Sequence, residues 1–163
     1  MDLDKYSLEE LLLAAIKSEV DSKKVYLRLA EKVNNGFLSD KLKYIADEEQ
    51  KHRDYIDSVY TMNFQRTAVL PETSPVPLPD IKVDGNTVMA SEIMLQAMAA
   101  EEAASDFYTY LAGKDQLDDD TKKTLLYLAS MEQGHLRLLE IEKEQLDKEE
   151  EYEFEWEMMH AGP

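Results

Sequence analysis

The stretch Ala15–Ala30, AIKSEVDSKKVYLRLA, decides how this chain is read, because it returns 82 residues later as Ala97–Ala112, AMAAEEAASDFYTYLA. The alignment sets Glu19 over Glu101, Tyr26 over Tyr108 and Leu29 over Leu111. A second pair follows at an offset of 83, with Tyr44–His52, YIADEEQKH, lying over Tyr127–His135, YLASMEQGH. Each half therefore carries a Glu and, about thirty residues later, a Glu-x-x-His. The chain has three histidines, and two of them occupy equivalent places in the repeat.

On a helix, residues three apart face the same way, so Glu49 with His52 and Glu132 with His135 each present an oxygen and an imidazole together. One such pair is common on protein surfaces. Two of them, each with a partner Glu at matching distance, give four carboxylates and two imidazoles on four helices, the ligand set of ferritin-like di-iron or di-manganese bundles. Carboxylate and imidazole suit iron or manganese, and a chain without cysteine offers no thiolate site. Four carboxylates balance the four charges of two divalent ions, which makes burial of a filled site tolerable. Emptied, the carboxylates repel one another and lose hydration, so some hold protons that metal uptake releases.

Length and composition suit one such bundle. A chain of 163 residues buries one substantial core, and 44% hydrophobic residues with only five Gly and five Pro suit long helices. No apolar run reaches the length of a membrane span, and the first residues are acidic without a signal-peptide pattern. The absence of cysteine fits a reducing cytoplasm. A net charge of −17 argues against nucleic acid as a partner.

Ser7-Leu8-Glu9-Glu10 is a capping box; the helix it opens is expected to reach about Asn34 and to stop at Asn34-Asn35-Gly36. A second helix is expected from Ser39 to about Asn63, a third from Thr87 or Ser91 to Ala112 with Gly113 as its stop, and a fourth from Asp118 or Asp119 to Lys148. Short loops make each pair antiparallel. The Pro-rich connection, about residues 64–86, can reach roughly 65 Å if extended, against about 38 Å for a 25-residue helix. Neither half alone holds a complete ligand set, so the connection is read as a lengthwise crossover within one domain, residues 1–148. The fold class expected is all-α, a ferritin-like four-helix bundle with one long crossover between helices 2 and 3, plus a C-terminal tail. Counting rise per residue places all the candidate ligands roughly 15 to 22 Å from the hairpin ends of their helices, one level in mid-bundle.

These motifs resemble the four-helix domain of the rubrerythrin family over about Leu8 to Lys148. The resemblance implies that Glu49 and Glu132 bridge two iron ions, with manganese or a mixed pair as variants. It further implies that Glu19 and Glu101 are terminal carboxylates, that His52 and His135 complete the two coordination spheres, and that Tyr26 and Tyr108 hydrogen-bond ligand carboxylates. It implies a cytoplasmic oxidoreductase that uses hydrogen peroxide or dioxygen, a homodimer, and an external electron-donor protein, since these residues include no rubredoxin-like cysteine module. Ala104 stands where rubrerythrins proper carry a further Glu. Ferroxidase action is the alternative chemistry, and a metal-stabilised structural or partner-binding bundle the alternative of another class.

Other residues carry plainer expectations. Tyr44 and Tyr127 repeat but are read as packing residues, Glu48 and Glu102 as solvated acids or supports for the adjoining ligands, and Met94, Met98 and Met131 as core. Gly134 is read as a sign of close packing near the metal. In the tail, residues 149–163, acids alternate with Tyr152, Phe154, Trp156 and Met158. That pattern suits an extended segment, although Tyr152, Trp156 and Met159 also keep helical spacing. Either way the aromatics are expected to pack on the bundle or on a partner subunit, with His160 exposed.

Overall fold

In the computed structural model, which describes residues 3–76 and 90–160, the chain forms four helices, α1 (Leu8–Lys32), α2 (Gly36–Phe64), α3 (Ala90–Ala112) and α4 (Asp119–His160). The local chemistry explains their ends. The Ser7 hydroxyl accepts from the Glu10 N–H at 3.2 Å while the Glu10 carboxylate accepts from the Ser7 N–H at 2.9 Å, closing the capping box of α1. The Asp118 carboxylate accepts from the N–H groups of Asp120 and Thr121 and caps α4. Gly113 follows α3 directly, as its stop signal requires.

The first hairpin differs from the sequence reading. Asn35 does not end α1. Its side-chain oxygen Oδ1 accepts from the N–H groups of Phe37 and Leu38 at 3.0 and 3.2 Å, so it opens α2 at Gly36, three residues before Ser39. Asn-Asn-Gly serves equally as a stop and as a start, and here the capping oxygen wins. The Ser39 hydroxyl instead donates to the Ala30 carbonyl at 2.9 Å, satisfying one of the open acceptors in the last turn of α1.

Side-chain pairs fix the helix directions. Tyr60 donates to Glu9 and Lys23 to Gln50, so α1 and α2 are antiparallel. Tyr26 meets Glu101 while Tyr108 meets Glu19, so α1 and α3 are antiparallel too. It follows that α2 and α3 run the same way, which is the arrangement a lengthwise crossover serves; residues 77–89 of that connection lie outside the described residues. Lys41 pairs with the buried Glu142, and His52 with Glu132, setting α4 antiparallel to α2.

The apolar core is split in two. One layer holds Leu11, Leu12, Ile16, Ile56, Val59 and Leu125, together with other residues of the same levels. The other holds Leu29, Leu38, Leu42, Ile45, Ile93 and Leu139. Between these levels lie Glu19, Glu49, Glu101 and Glu132. The methionine expectation holds for Met94, which is buried, and Met98 packs against the same layer.

At 42 residues α4 is about 63 Å long, whereas the others reach at most about 44 Å. There is no break at Lys148: the tail continues the helix to His160, so the extended reading of its alternation is corrected. Tyr152, Trp156 and Met159 are exposed and do not pack on this chain's bundle. Tyr44 and Tyr127, expected to pack, are also exposed, at 56% and 62%. Among the described residues no helix is long and apolar enough to cross a membrane.

Asn35→Ala is expected to cost about 1 kcal/mol of unfolding free energy in urea, whereas Asn34→Ala, at an exposed position with no capping role, stays within about 0.5 kcal/mol. Equal effects would remove Asn35 as the cap.

Candidate metal centre

The six candidate ligands arrive together because each helix places its residue at the same depth. Glu19 comes from α1, Glu49 and His52 from α2, Glu101 from α3, and Glu132 and His135 from α4. All six are buried, Glu132 completely. Their ligand atoms form two overlapping groups, Glu19, Glu49, His52 and Glu132 in one, Glu49, Glu101, Glu132 and His135 in the other, each with its atoms within 4.8 Å of one another. Glu49 and Glu132 belong to both.

Glu132 lies between the two imidazoles. His52 Nδ1 is 2.8 Å from Glu132 Oε1, an ion-pair distance without hydrogen-bond alignment, and His135 Nδ1 is 3.1 Å from Oε2. The two rings are near-parallel, 5.8 Å apart. His135 Nδ1 also lies 3.4 Å from Glu49 and 3.6 Å from Glu101. Tyr26 and Tyr108 are buried, and their hydroxyls donate across the repeat, Tyr26 to Glu101 and Tyr108 to Glu19. Each tyrosine thus holds the carboxylate contributed by the other half.

Burial, reinforced by the charge of Glu49, pushes the Glu19 and Glu101 carboxyls well above the usual carboxylate range. Burial opposes ionisation of Glu132 as well, but the hydrogen bond with His135 and the close approach of the His52 imidazole outweigh it and hold its pKa at about 2. His135 is pushed up to about 12: burial resists the charge, and the carboxylates of Glu101, Glu132 and Glu49 overcome it. Burial and the charge of Glu101 keep the Tyr26 hydroxyl protonated, as a donor.

Whether the residues fit metal ions is tested by their unused atoms. Six buried side-chain polar atoms lack a hydrogen-bond partner among the described residues, and five of them belong here: Glu19 Oε2, Glu49 Oε1, both ring nitrogens of His52, and Glu132 Oε1. A buried polar atom without a partner costs about 1–3 kcal/mol. A fold that concentrates such atoms in one layer has left them for a ligand. The donor set of carboxylate oxygens and imidazole nitrogens suits divalent first-row ions.

Around the centre the structure corrects the reading of Gly134 and separates Glu48 from Glu102. Glu48 is buried, not solvated, and pairs with Lys51; Glu102 is exposed. Gly134 has open space where its Cβ would stand, so it marks no close packing. The buried Glu142, paired with Lys41, had no signal in the sequence beyond its place on the inner stripe of α4.

Fold and site together define a helical bundle with buried carboxylate and imidazole groups of the kind that hold metal. The chain belongs to the rubrerythrin family, whose model matches residues 10–142. It is similar to a solved structure described as a hypothetical protein from Pyrococcus furiosus, at 33% identity with a TM-score of 0.77, covering 90% of this chain and 94% of that one. No curated protein gives a significant match.

For the metal-free protein the pKa shifts set the sign of a pH dependence. Above the ordinary carboxylate value of 4.5, Glu19 and Glu101 bind more protons folded than unfolded, so their contribution to stability falls as pH rises toward their folded values. His135 adds to that fall between its ordinary 6.5 and about 12, while Glu132 adds stability as pH rises from about 2 to 4.5. Thermal unfolding is therefore expected at a higher temperature at pH 5 than at pH 8, and Glu19→Gln flattens the slope. A slope unchanged in that variant would contradict the assignment.

Proposed function

We propose that the protein is a non-haem di-iron oxidoreductase of the rubrerythrin type that acts on hydrogen peroxide or dioxygen. The observation that carries the reading is the overlap of the two ligand groups, which share Glu49 and Glu132 and differ in Glu19 with His52 and in Glu101 with His135. In this reading Glu49 and Glu132 would serve both ions, Glu19 with His52 would hold one, and Glu101 with His135 the other. Two ferrous ions held there would supply one electron each, and with two protons these reduce hydrogen peroxide to two waters.

The chain's own residues set the conditions for that chemistry. Protons held by Glu19 and Glu101 in the metal-free state leave on loading, so the filled site is close to neutral. Tyr26 and Tyr108 fix one oxygen of each terminal carboxylate and leave the other oxygen to the centre. The apolar layers above and below exclude water and strengthen every charge interaction between them. With Ala104 in place of a further carboxylate, the acids of the centre number four. Return to the ferrous state is assigned to an external donor protein, and the working form to a homodimer, both on family resemblance.

A second reading, ferroxidase action with ferrous iron as substrate, is favoured by the net charge of −17, which concentrates cations at the surface. Rapid mixing of the anaerobically loaded protein with peroxide, and separately with air, decides between them. Faster oxidation by peroxide is expected, and faster oxidation by air favours the ferroxidase. Glu49→Ala and Glu132→Ala are expected to lose about tenfold or more in metal affinity and oxidation rate, with a smaller change in thermal stability. Unchanged metal content in both variants would overturn the proposal.

A further inference from the structure

The two halves of the repeat flank the centre with different residues. Between α1 and α3 lies a pocket whose floor is Glu19 and Tyr108 and whose walls include Ala103, Ala104 and Phe107. Ala103 and Ala104 are only partly buried, whereas Glu19, Tyr108 and Phe107 are buried, so the pocket leads from the surface to one carboxylate of the centre. It has room for about one water-sized molecule. Glu19, which is 2% exposed, has an oxygen, Oε2, with no hydrogen-bond partner. At the equivalent place beside Glu101 the repeat supplies Asp21, Ser22 and Val25 where the pocket has Ala103, Ala104 and Phe107. Asp21 there is engaged by Lys17 and Lys24.

We propose that the alanine-walled pocket between α1 and α3 is the mouth of the path by which the oxidant, a small uncharged molecule, enters, and that it leads to the Glu19 and His52 position rather than to Glu101 and His135. The size of the pocket excludes organic substrates. Apart from Ser18 its walls are apolar, and an anion entering it would meet the Glu19 carboxylate under a strongly negative protein surface, so the port selects neutral species. Dioxygen and hydrogen peroxide both meet these conditions. The inference rests on the proposed function for the identity of the oxidant, while the port itself is a property of the fold.

Access is measured without turnover from the relaxation of alanine methyl signals by dissolved dioxygen, a paramagnetic probe, on the metal-free and zinc-loaded protein. Ala15 lines the pocket and Ala97 is its repeat equivalent, and both are buried. The Ala15 methyl is expected to relax more strongly than that of Ala97, and Ala104→Leu to abolish the difference. In the iron-loaded protein, Ala104→Leu and Ala103→Leu are expected to slow oxidation about tenfold, equivalent to a barrier raised by roughly 1.4 kcal/mol, with metal content unchanged. Ser22→Leu, at the equivalent place in the other half, leaves the rate as it was. A loss confined to peroxide or to air assigns the port to that oxidant. Equal relaxation of Ala15 and Ala97, a wild-type rate in both alanine variants, or an equal loss in Ser22→Leu would overturn the port. A protein inert to both oxidants would sink the proposed function, and the methyl comparison would still decide the port.

Discussion

Four carboxylates buried in a single layer are the constraint on which the rest of this structure depends. Left charged and alone they would drive the helices apart, since each buried ion costs several kcal/mol without a partner. The chain answers in three ways. It brings two imidazoles to Glu132, gives Glu19 and Glu101 a tyrosine hydroxyl each, and lets the latter two carboxyls keep their protons. What these devices leave unsatisfied is the set of oxygens and nitrogens that converge in two groups. The apolar layers on either side hold the helices at a spacing the centre alone could not maintain.

The tandem repeat explains the arrangement of those devices. Because α1 and α3 run antiparallel, a tyrosine seven residues beyond its own Glu reaches the Glu of the other half, and the two halves are stitched by a reciprocal pair of hydrogen bonds. Neither half can satisfy its own terminal carboxylate. Duplication therefore created both the ligand set and the reason the halves must stay in one bundle. The halves differ beside the terminal carboxylates: alanines on α3 flank Glu19, while Asp21 and Ser22 stand at the matching turn of α1.

The bundle and its centre were legible in the sequence because both rest on periodicity. Glu-x-x-His at three-residue spacing, repeated with its distant Glu, admits few other arrangements, and depth along a helix follows from rise per residue alone. What escaped depended on choices that spacing does not make. Asn35-Gly36 carries both a stop and a cap signal, and only the tertiary path selects one. The acids and aromatics past Lys148 fitted two periods, and the helix continued because no breaker interrupts it before Gly162. Tyr44 and Tyr127, five residues before Glu49 and Glu132, were placed well round the helix and read as packing there, whereas that angular position turns them out to the surface. Glu48 is buried and pairs with Lys51, one turn on, a pairing that the pattern of ligands had hidden.

The measurement that bears most directly on this account is the anaerobic titration of ferrous iron into the metal-free protein, followed by the thermal unfolding temperature at each addition. The account predicts that stability rises with each increment up to a breakpoint at two ions per chain, one for each ligand group. A protein that gains no stability from ferrous iron, or that saturates with ions bound elsewhere and keeps its stability when Glu49 and Glu132 are both replaced by Gln, would contradict it.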